Sequence, residues 1–494
     1  RDPVVWTVAA LVFGAYFVIS LFRLRQLGAG YDLGIYTEYV KQLAHLHAPI
    51  DDVMGPGFNL LGNHFQVAVG LLAPFFRLFP SPATLLFVQA LLTAVSVFPV
   101  VTAGFAVAGR NAGRLIGFAY GFSWGLQQMV DFDFHEVALA VPLLAFSVSA
   151  LVRRRPVAAA AWALPLVFVK EDQGFTVAAI GVLLGGTMAF RPPIPALPRG
   201  SSRTALRAGF FLVVWGLFWS VLAIAVIIPH FNPLHEYSFW EDGGAIGGGH
   251  PFSVGGLIVQ TAAGWPTKAV TVVLLLLPTA FAALGSPVAL IALPSLVLRF
   301  VSTDTSFWGT AFHYNATVMP ILFIAAAESI GRCRIASTLS WSPRAARGVL
   351  ARVRDLIRLA RLGLARHGAA MMAAVAVALA FQFPLSGLWQ GATYKSDAHV
   401  AAADAAMAVV PDGATVLATG DLLPDLAART DTFWIGNAGN PLTQYIVFDG
   451  VDSGYYPNIS NVPAFIATYF GRDGYVPVFH RDDVYVYKRR SRRG

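Results

Sequence analysis

Apolar stretches of roughly 20 residues recur along most of this chain, and they limit what it can fold into more than any other feature. A helix of that length matches the hydrocarbon thickness of a bilayer. Continuous apolar runs, rather than short alternating segments, favour helices over membrane strands. Only 13% of the 494 residues are charged, whereas soluble domains carry about 25%. The sequence therefore predicts a polytopic α-helical membrane protein.

About eleven stretches have the length and apolarity of a crossing segment. Residues 4–22 are not followed by a small-x-small cleavage pattern, so we interpret them as a membrane helix rather than a signal peptide. The stretch 65–79 contains Pro74 and Arg77 and is expected to lie at the interface without crossing. The candidate spans are residues 4–22, 83–108, 115–130, 137–152, 156–170, 173–190, 208–229, 268–284, 286–300, 311–328 and 368–384.

Arginine-rich loops predict the orientation, because such loops favour the cytoplasmic side. The arginine spacing in 331–367 indicates a basic amphipathic helix on the anionic inner leaflet. We expect a multi-pass protein of the cytoplasmic (inner) membrane, with a cytoplasmic N-terminus and an extracytoplasmic C-terminal domain. Arg23, Arg25 and Lys41 then lie outside, against the bias. The loops placed inside hold Arg110 with Arg114, Arg153 to Arg155, 191–207, and 331–367.

Two domains follow from this topology. Residues 1–388 are predicted to form the transmembrane domain, with interfacial helices in a first outer loop at 23–82. Residues 389–494 are predicted to form a small α/β domain outside the membrane. Within it we expect a helix near 397–409, strands at 415–420, 432–436 and 445–450, and a hairpin around 480–483. The glycine-rich loop 241–250 is hypothesised to order over bound substrate, since glycine permits such folding at low cost.

Ionisable side chains other than arginine collect in the loops predicted to lie outside. Charges at the ends of membrane helices are costly, so their collection on one face indicates function. The motifs are YDLGIY (31–36), GNHF (62–65), DFDFHE (131–136), KED (170–172) and STDTSFWGTAFHYN (302–315), the last preceded by Arg299.

Group transfer outside the cytoplasm has no nucleotide sugar or ATP available, so it relies on donors anchored in the lipid. Such a donor needs cations to hold its phosphate. It also needs a carboxylate that accepts the proton of the acceptor hydroxyl. The outer motifs contain both kinds of side chain, and they predict a lipid-linked-sugar glycosyltransferase.

The chain resembles the GT-C superfamily of integral-membrane glycosyltransferases in the order of its features. These are an acidic residue in the first outer loop just after the first helix, interfacial helices before the second span, a second outer loop with acidic residues, and a C-terminal soluble domain. YDLGIY, NHF, DFDFHE, KED and FHYN resemble more closely a related family of predicted multi-pass membrane proteins of unassigned function. The resemblance covers roughly residues 1–330 and the terminal domain. It implies a GT-C-like fold, a polyprenyl-phosphate sugar donor and inversion at the anomeric carbon. It also implies that Asp32 is the catalytic base, with Asp131 and Asp133 where some members place a second acidic pair.

The candidate residues carry structural alternatives. Asp32 could cap the helix that follows it, Glu136 could favour a helix dipole, and Arg299 could be a snorkelling anchor. Donor phosphate contacts are expected from Lys170, Arg299, His313 and Tyr314. Other substrate contacts are expected from His64, Asp131, Asp133, His135, Glu136, Glu171 and Asp172.

The expected partners are a polyprenyl-phosphate sugar, membrane lipids, and an envelope glycan, lipid or protein acceptor. No basic stripe interleaved with aromatics is present, so nucleic acid is excluded. No cofactor is required by the sequence; a divalent cation at Asp131 and Asp133 is weakly indicated. Two alternatives stay open: a transporter or flippase for a lipid or small anion, and a non-catalytic envelope-assembly protein.

Overall fold

Most described residues as far as Ala380 are helical, and a small sheet domain follows. The computed structural model describes residues 2–190, 202–237, 259–338, 349–451, 459, 461–471 and 474–490. The loop 241–250 lies outside these residues. The helices are α1 Pro3–Arg25, α2 Tyr31–Ala44, α3 Ala73–Leu78, α4 Pro82–Ala108, α5 Arg110–Gly121, α6 Trp124–Asp131, α7 Val137–Val152, α8 Pro156–Ala163, α9 Gln173–Phe190, α10 Ser202–Leu222, α11 Ile228–Phe231, α12 Trp265–Leu276, α13 Leu293–Val301, α14 Val318–Thr338, α15 Val349–Ala380, α16 Ala398–Ala408, α17 Leu423–Ala427 and α18 Val462–Phe470.

The described residues contain four helices that are long and apolar enough to cross a membrane. They are Pro3–Arg25, Pro82–Ala108, Ser202–Phe231 and Arg358–Ala380. Shorter apolar helices are Val67–Leu78, Val137–Val152, Pro156–Phe168, Gln173–Gly186, Trp265–Thr279 and Pro287–Val301. An apolar helical protein is thus confirmed, whereas the number of crossings and their orientation stay predictions.

Several predicted spans are broken in the structure. The stretch expected at 115–130 divides into α5 and α6, because the chain turns at Phe122 and Ser123. The stretch 268–284 stops after Thr279, where Ala280 and Phe281 adopt left-handed backbone angles. Such angles end a helix of L-residues. Apolar content therefore identified these segments, but it could not locate their turns.

The basic segment 331–367 does not form a separate surface helix. Its first residues extend α14 to Thr338, and residues 349–367 belong to α15, which continues without a break to Ala380. Leu, Ala and Arg are strong helix formers, and no proline interrupts this stretch. Residues 349–367 are thus helical as expected but continuous with the next apolar segment, and their position on the inner leaflet stays a prediction.

The terminal domain is the predicted α/β unit. Its five strands are β1 Thr415–Ala418, β2 Asp431–Trp434, β3 Tyr445–Asp449, β4 Tyr475–Arg481 and β5 Val484–Arg489. They form one sheet in the order β2-β1-β3-β5-β4. β1 pairs in parallel with β2 and β3, while β5 pairs antiparallel with β3 and β4. The expected hairpin turns at Asp482 and Asp483, both in left-handed conformations.

The terminal domain packs directly on α2. A Cβ atom added at Gly34 would lie 2.7 Å from the Cβ of Leu423, so glycine at this position permits the close approach of α17. The Lys41 ammonium donates a hydrogen bond of 2.5 Å to the Thr430 carbonyl oxygen. The Asn437 amide donates one of 2.8 Å to the Val53 carbonyl oxygen. The sheet is thereby tied to the helix that carries Asp32.

We expect the stability of the terminal domain to depend on pH through the contacts of His399. His399 lies 2.7 Å through Nε2 from Oδ2 of Asp449, and 2.8 Å through Nδ1 from the Asp482 carbonyl oxygen. Burial alone lowers the pKa of His399, but these two acceptors raise it above its ordinary 6.5. These two contacts therefore stabilise the folded domain fully when the pH is below the pKa of His399 in the unfolded chain. Their contribution is lost as the pH rises through the pKa of His399 in the folded protein.

The measurement is thermal unfolding of the purified protein from about pH 5 to about pH 8. At acidic pH, His399→Gln should have a lower melting temperature than the wild type. This difference in melting temperature should decrease as the pH rises. The surface variant His47→Gln is the control. A difference that stays constant across the range, or that widens with rising pH, contradicts the expectation.

Candidate active site

Loops from five separate parts of the helical region meet around one cavity. They carry the predicted motifs that contain Asp32, His64, His135, Lys170 and His313. The contacts described below join these motifs to one another, although the residues are distant in sequence. The expected convergence of the ionisable residues is therefore present in the structure.

Asp32 occupies the first turn of α2, and its side chain keeps 32% of its surface exposed. Oδ2 of Asp32 lies 3.2 Å from Nε2 of His135. His135 is buried, and a proton on Nε2 would be shared with the carboxylate. Asp32 is thus held by an imidazole on one side and remains accessible on the other.

A stacked pair of imidazoles connects Asp32 to the cavity. The rings of His135 and His313 lie 3.7 Å apart between centroids, with an interplanar angle of 22°. His313 is 5% exposed. Neither of its ring nitrogens has a hydrogen-bond partner in the part of the chain that the structure describes. A buried imidazole with free nitrogens on a cavity wall has hydrogen-bonding capacity left for a polar ligand.

Lys170 is paired with Glu136 at the start of α7. Its Nζ lies 2.9 Å from Oε1 of Glu136, and the Glu136 side chain is fully buried. The Tyr36 hydroxyl donates a hydrogen bond to the other carboxylate oxygen. Burial raises the pKa of Glu136, but the charges of Lys170 and the nearby histidines lower it well below its ordinary value. Glu136 is thus an ionised counter-ion that fixes the Lys170 ammonium.

Glu171 binds the first loop to the KED motif. Its Oε1 lies 2.8 Å from Nδ1 of His64 and accepts a 2.9 Å hydrogen bond from the Tyr237 hydroxyl. Its Oε2 accepts a 3.1 Å hydrogen bond from the Phe65 backbone N–H. Burial raises the pKa of Glu171, but His64 and Lys170 lower it to about 2. Glu171 is therefore an anion whose acceptor sites are used within the protein.

Close packing of α9 against α10 positions the KED motif. A Cβ atom added at Gly174 would lie 2.3 Å from the Gly216 carbonyl oxygen. Small residues of this kind let membrane helices approach closely. One turn further along α10, the Ser220 hydroxyl donates a 2.6 Å hydrogen bond to the Glu171 carbonyl oxygen. The α9–α10 contact thus places this motif at the cavity.

Arg299 organises the loop that carries His313. Its guanidinium donates to the carbonyl oxygens of Phe307, Gly309 and Tyr314 and to Oδ1 of Asn315, at distances of 3.0–3.2 Å. It also lies 5.5 Å from the centre of the Tyr314 ring. Most of its donor capacity is spent inside the protein. This arrangement explains why α14 begins at Val318, seven residues after the predicted start.

The cavity has a volume of about 400 Å³. Lys170, Asp172, His313 and Tyr314 line its polar part, together with His64 and Glu171. Phe175, Ile224 and Leu298 contribute an apolar wall. Ile224 lies in a π-helical turn at Ala223–Ile227, an irregularity common at functional sites. The cavity therefore offers cationic and polar contacts beside an apolar surface.

The second acidic pair lies beside α1. Asp131 contacts Arg23 at 3.2 Å, which explains the arginine that stood against the charge bias. Burial raises the pKa of Asp133 to about 6 against the opposing effect of Arg23. Oδ2 of Asp133 accepts hydrogen bonds from backbone N–H groups. Among the described residues no three His, Cys, Asp or Glu side chains are grouped to hold a metal ion, and a divalent cation at this pair stays a prediction.

Three residues that shape the site are not among the predicted site residues: Tyr36, Tyr237 and Gln89. Tyr36 lies one turn of helix after Asp32, a spacing that places both on one face. Gln89 is a lone amide in an apolar helix and is fully buried. A polar side chain in such a position needs a partner, so this signal was available. Tyr237 gave no such signal.

Removing the Lys170 ammonium should destabilise the protein, because Glu136 would remain buried as an unpaired anion. We expect Lys170→Met to cost about 3–5 kcal/mol in free energy of unfolding. The double variant Lys170→Met, Glu136→Gln should recover most of this loss. Thermal unfolding in detergent measures both, with exposed Lys395→Met as the control. A single variant as stable as the wild type contradicts the expectation.

The fold is similar to two crystal structures of ArnT from Cupriavidus metallidurans. The structure bound to undecaprenyl phosphate has a TM-score of 0.53 and 14% identity, covering 98% of this chain and 97% of that chain. The apo structure has a TM-score of 0.50 and 12% identity with the same coverage. The oligosaccharyltransferase AglB from Archaeoglobus fulgidus, in complex with an inhibitory peptide and a dolichol-phosphate, has a TM-score of 0.36 and 10% identity over 89% of this chain and 69% of that chain.

At these identities the likeness to ArnT shows the fold alone, and it confirms the expected GT-C fold. No curated protein matches the sequence. A family model described as "Predicted membrane protein (DUF2079)" matches residues 23–451, which is most of the chain. The match confirms the expected kinship with multi-pass proteins of unassigned function, and the chain belongs to the DUF2079 family of predicted membrane proteins.

Proposed function

We propose that this protein is a GT-C-type glycosyltransferase that moves a sugar from a polyprenyl-phosphate donor to an acceptor hydroxyl. The reaction would take place at the outer face of the cytoplasmic membrane, in the synthesis of an envelope glycan, glycolipid or glycoprotein. One observation carries the proposal. An accessible carboxylate, Asp32, contacts His135, whose ring stacks on His313, a buried imidazole with free nitrogens in the wall of a cavity that also contains the Lys170 ammonium.

The cavity suits a lipid phosphate better than a soluble ligand. The Lys170 ammonium, one ring N–H of His313 and the Tyr314 hydroxyl are donors for phosphate oxygens. Phe175, Ile224 and Leu298 provide an apolar surface for the first prenyl units. Arg299 also lines the cavity, and its guanidinium holds the loop that presents His313 and Tyr314. The undecaprenyl phosphate in the similar ArnT structure supports this choice of donor.

Asp32 has the properties of the general base. It accepts the proton of the acceptor hydroxyl while the acceptor oxygen forms a bond with the anomeric carbon. The bond from that carbon to the phosphate oxygen breaks on the opposite face, which inverts the configuration. The leaving polyprenyl phosphate keeps the electron pair, and the Lys170 ammonium stabilises the growing negative charge. His135 orients the Asp32 carboxylate through the 3.2 Å contact.

The direct test replaces the carboxylate and keeps its shape. Asp32→Asn should reduce transfer from a polyprenyl-phosphate sugar by at least about 10²-fold, the lower range for general base catalysis. Its donor binding should match the wild type, because Lys170 and His313 are unchanged. The assay incubates purified protein with a panel of polyprenyl-phosphate sugars, and it follows donor consumption together with thermal stabilisation by the donor.

Asp52→Asn is the matched control, since Asp52 belongs to the same first loop but its carboxylate accepts a hydrogen bond from the Gly57 N–H, whereas that of Asp32 contacts His135. It should transfer at the wild-type rate. Transfer by Asp32→Asn at the wild-type rate would remove Asp32 from its role. If no donor in the panel is consumed or stabilises the wild-type protein, the proposed function itself is wrong.

A further inference from the structure

The helix that carries Asp32 has no cap of its own. α2 begins after Gly30, which has no side chain to accept hydrogen bonds from the first N–H groups of the helix. Such groups need an acceptor when they are buried. Asp32 lies close enough in sequence to act as a cap, but its carboxylate contacts His135. Among the described residues it has no hydrogen bond to a backbone N–H of α2.

Asp133 supplies the missing cap from a distant loop. Its Oδ2 accepts a hydrogen bond of 3.1 Å from the Gly30 N–H and one of 3.4 Å from the Leu33 N–H. Leu33 is the third residue of α2, the position that a capping side chain ordinarily serves. The residues are 103 and 100 positions apart in sequence. The first turn of α2 is therefore closed by another segment of the protein.

The backbone at Asp133 is adapted to this contact. Its φ angle is 125°, in a region where few residues other than glycine are found. Unfavourable backbone angles persist only where the surroundings enforce them, and they cluster at functional sites. Gln89 enforces this one from inside α4. Its side-chain amide donates a 2.8 Å hydrogen bond to the Asp133 carbonyl oxygen and accepts one of 3.2 Å from the His135 N–H.

One short turn thus holds Asp32 in two ways. Asp133 fixes the backbone of the helix from which Asp32 projects, while His135 fixes its carboxylate. Gln89 sets the spacing between the two, because it bonds to both backbones. A base that must face an acceptor hydroxyl depends on such positioning, since small displacements of a catalytic group cost large factors in rate.

We propose that Asp133 is a positioning residue for Asp32, acting as a helix cap from across the site rather than as a ligand for substrate or metal. The role needs a hydrogen-bond acceptor at this position and does not need a negative charge. The effect of this capping role on the transfer rate rests on the proposed function. The effect on the first turn of α2 does not depend on the proposed function.

Two variants separate the acceptor from the charge. Asp133→Asn keeps a carbonyl oxygen for the Gly30 and Leu33 N–H groups, and asparagine tolerates a positive φ. Asp133→Gly removes the acceptor but accommodates the φ of 125° without strain. Backbone strain at residue 133 is therefore not the cause of any loss of exchange protection or activity in the glycine variant. Size-exclusion profiles and melting temperatures establish that both variants are folded.

Hydrogen exchange of peptides that cover residues 28–34 is the first measurement, and it requires no substrate. Asp133→Gly should exchange faster there than the wild type, and Asp133→Asn should match the wild type. Unchanged exchange in the glycine variant overturns the cap. This result is independent of whether any sugar donor has been found, so failure of the proposed function leaves the cap testable.

Transfer kinetics are the second measurement. Asp133→Gly should lower kcat by up to about 10²-fold, the cost of a misplaced catalytic group, with KM for the donor unchanged. Asp133→Asn should retain most of the activity, whereas Asp32→Asn should not. If Asp133→Asn loses as much activity as Asp133→Gly, the negative charge is what matters, and the positioning role is wrong. A large rise in KM in the asparagine variant would also overturn it by indicating direct substrate contact.

Discussion

A buried ion pair, Lys170 with Glu136, is the interaction on which the candidate site depends. Neither charge could remain at the end of an apolar helix alone, because removing a charge from water costs several kcal/mol unless a partner repays it. The pair therefore fixes the start of α7 against the loop before α9. Glu171 with His64 repeats the arrangement a few ångströms away and adds the first loop. These buried ion pairs fix the relative positions of segments that apolar packing alone would not determine.

This principle also explains what the sequence could predict. Ionisable residues next to membrane helices are costly, so their number was enough to predict that they meet. Their partners were not predictable, because the type of a residue does not reveal the direction of its side chain. Glu136, Glu171 and Arg299 were all expected to contact substrate. In the structure their hydrogen-bonding groups are largely used by Lys170, His64 and loop carbonyls. Asp32 keeps an exposed surface, and the cavity is still lined by Lys170, His313, Glu171 and Arg299.

In the fold, too, some features could be predicted from the sequence and others could not. Long apolar runs identified α1, α4, α7 and α9 almost to the residue, since hydrophobicity over many positions is a strong signal. Boundaries failed where one contact decides them. The Arg299 guanidinium keeps the residues before α14 irregular, and the left-handed pair at Ala280 and Phe281 ends a predicted span. In the terminal domain the predicted helix, strands and hairpin are present, because each strand there is short and bounded by its own turn signals, whereas α17 and α18 were not predicted.

The docking of the terminal domain on α2 has a consequence for how the protein is made. Lys41 and Thr430, which bond across this contact, are 389 residues apart in sequence. At roughly 5–20 residues per second, the first of them leaves the ribosome many seconds before the second. During that interval α2 lacks the partner against which Gly34 packs. The contact that supports the helix carrying Asp32 is therefore among the last to form during biosynthesis, and a nascent chain in the membrane lacks it until the terminal domain has folded.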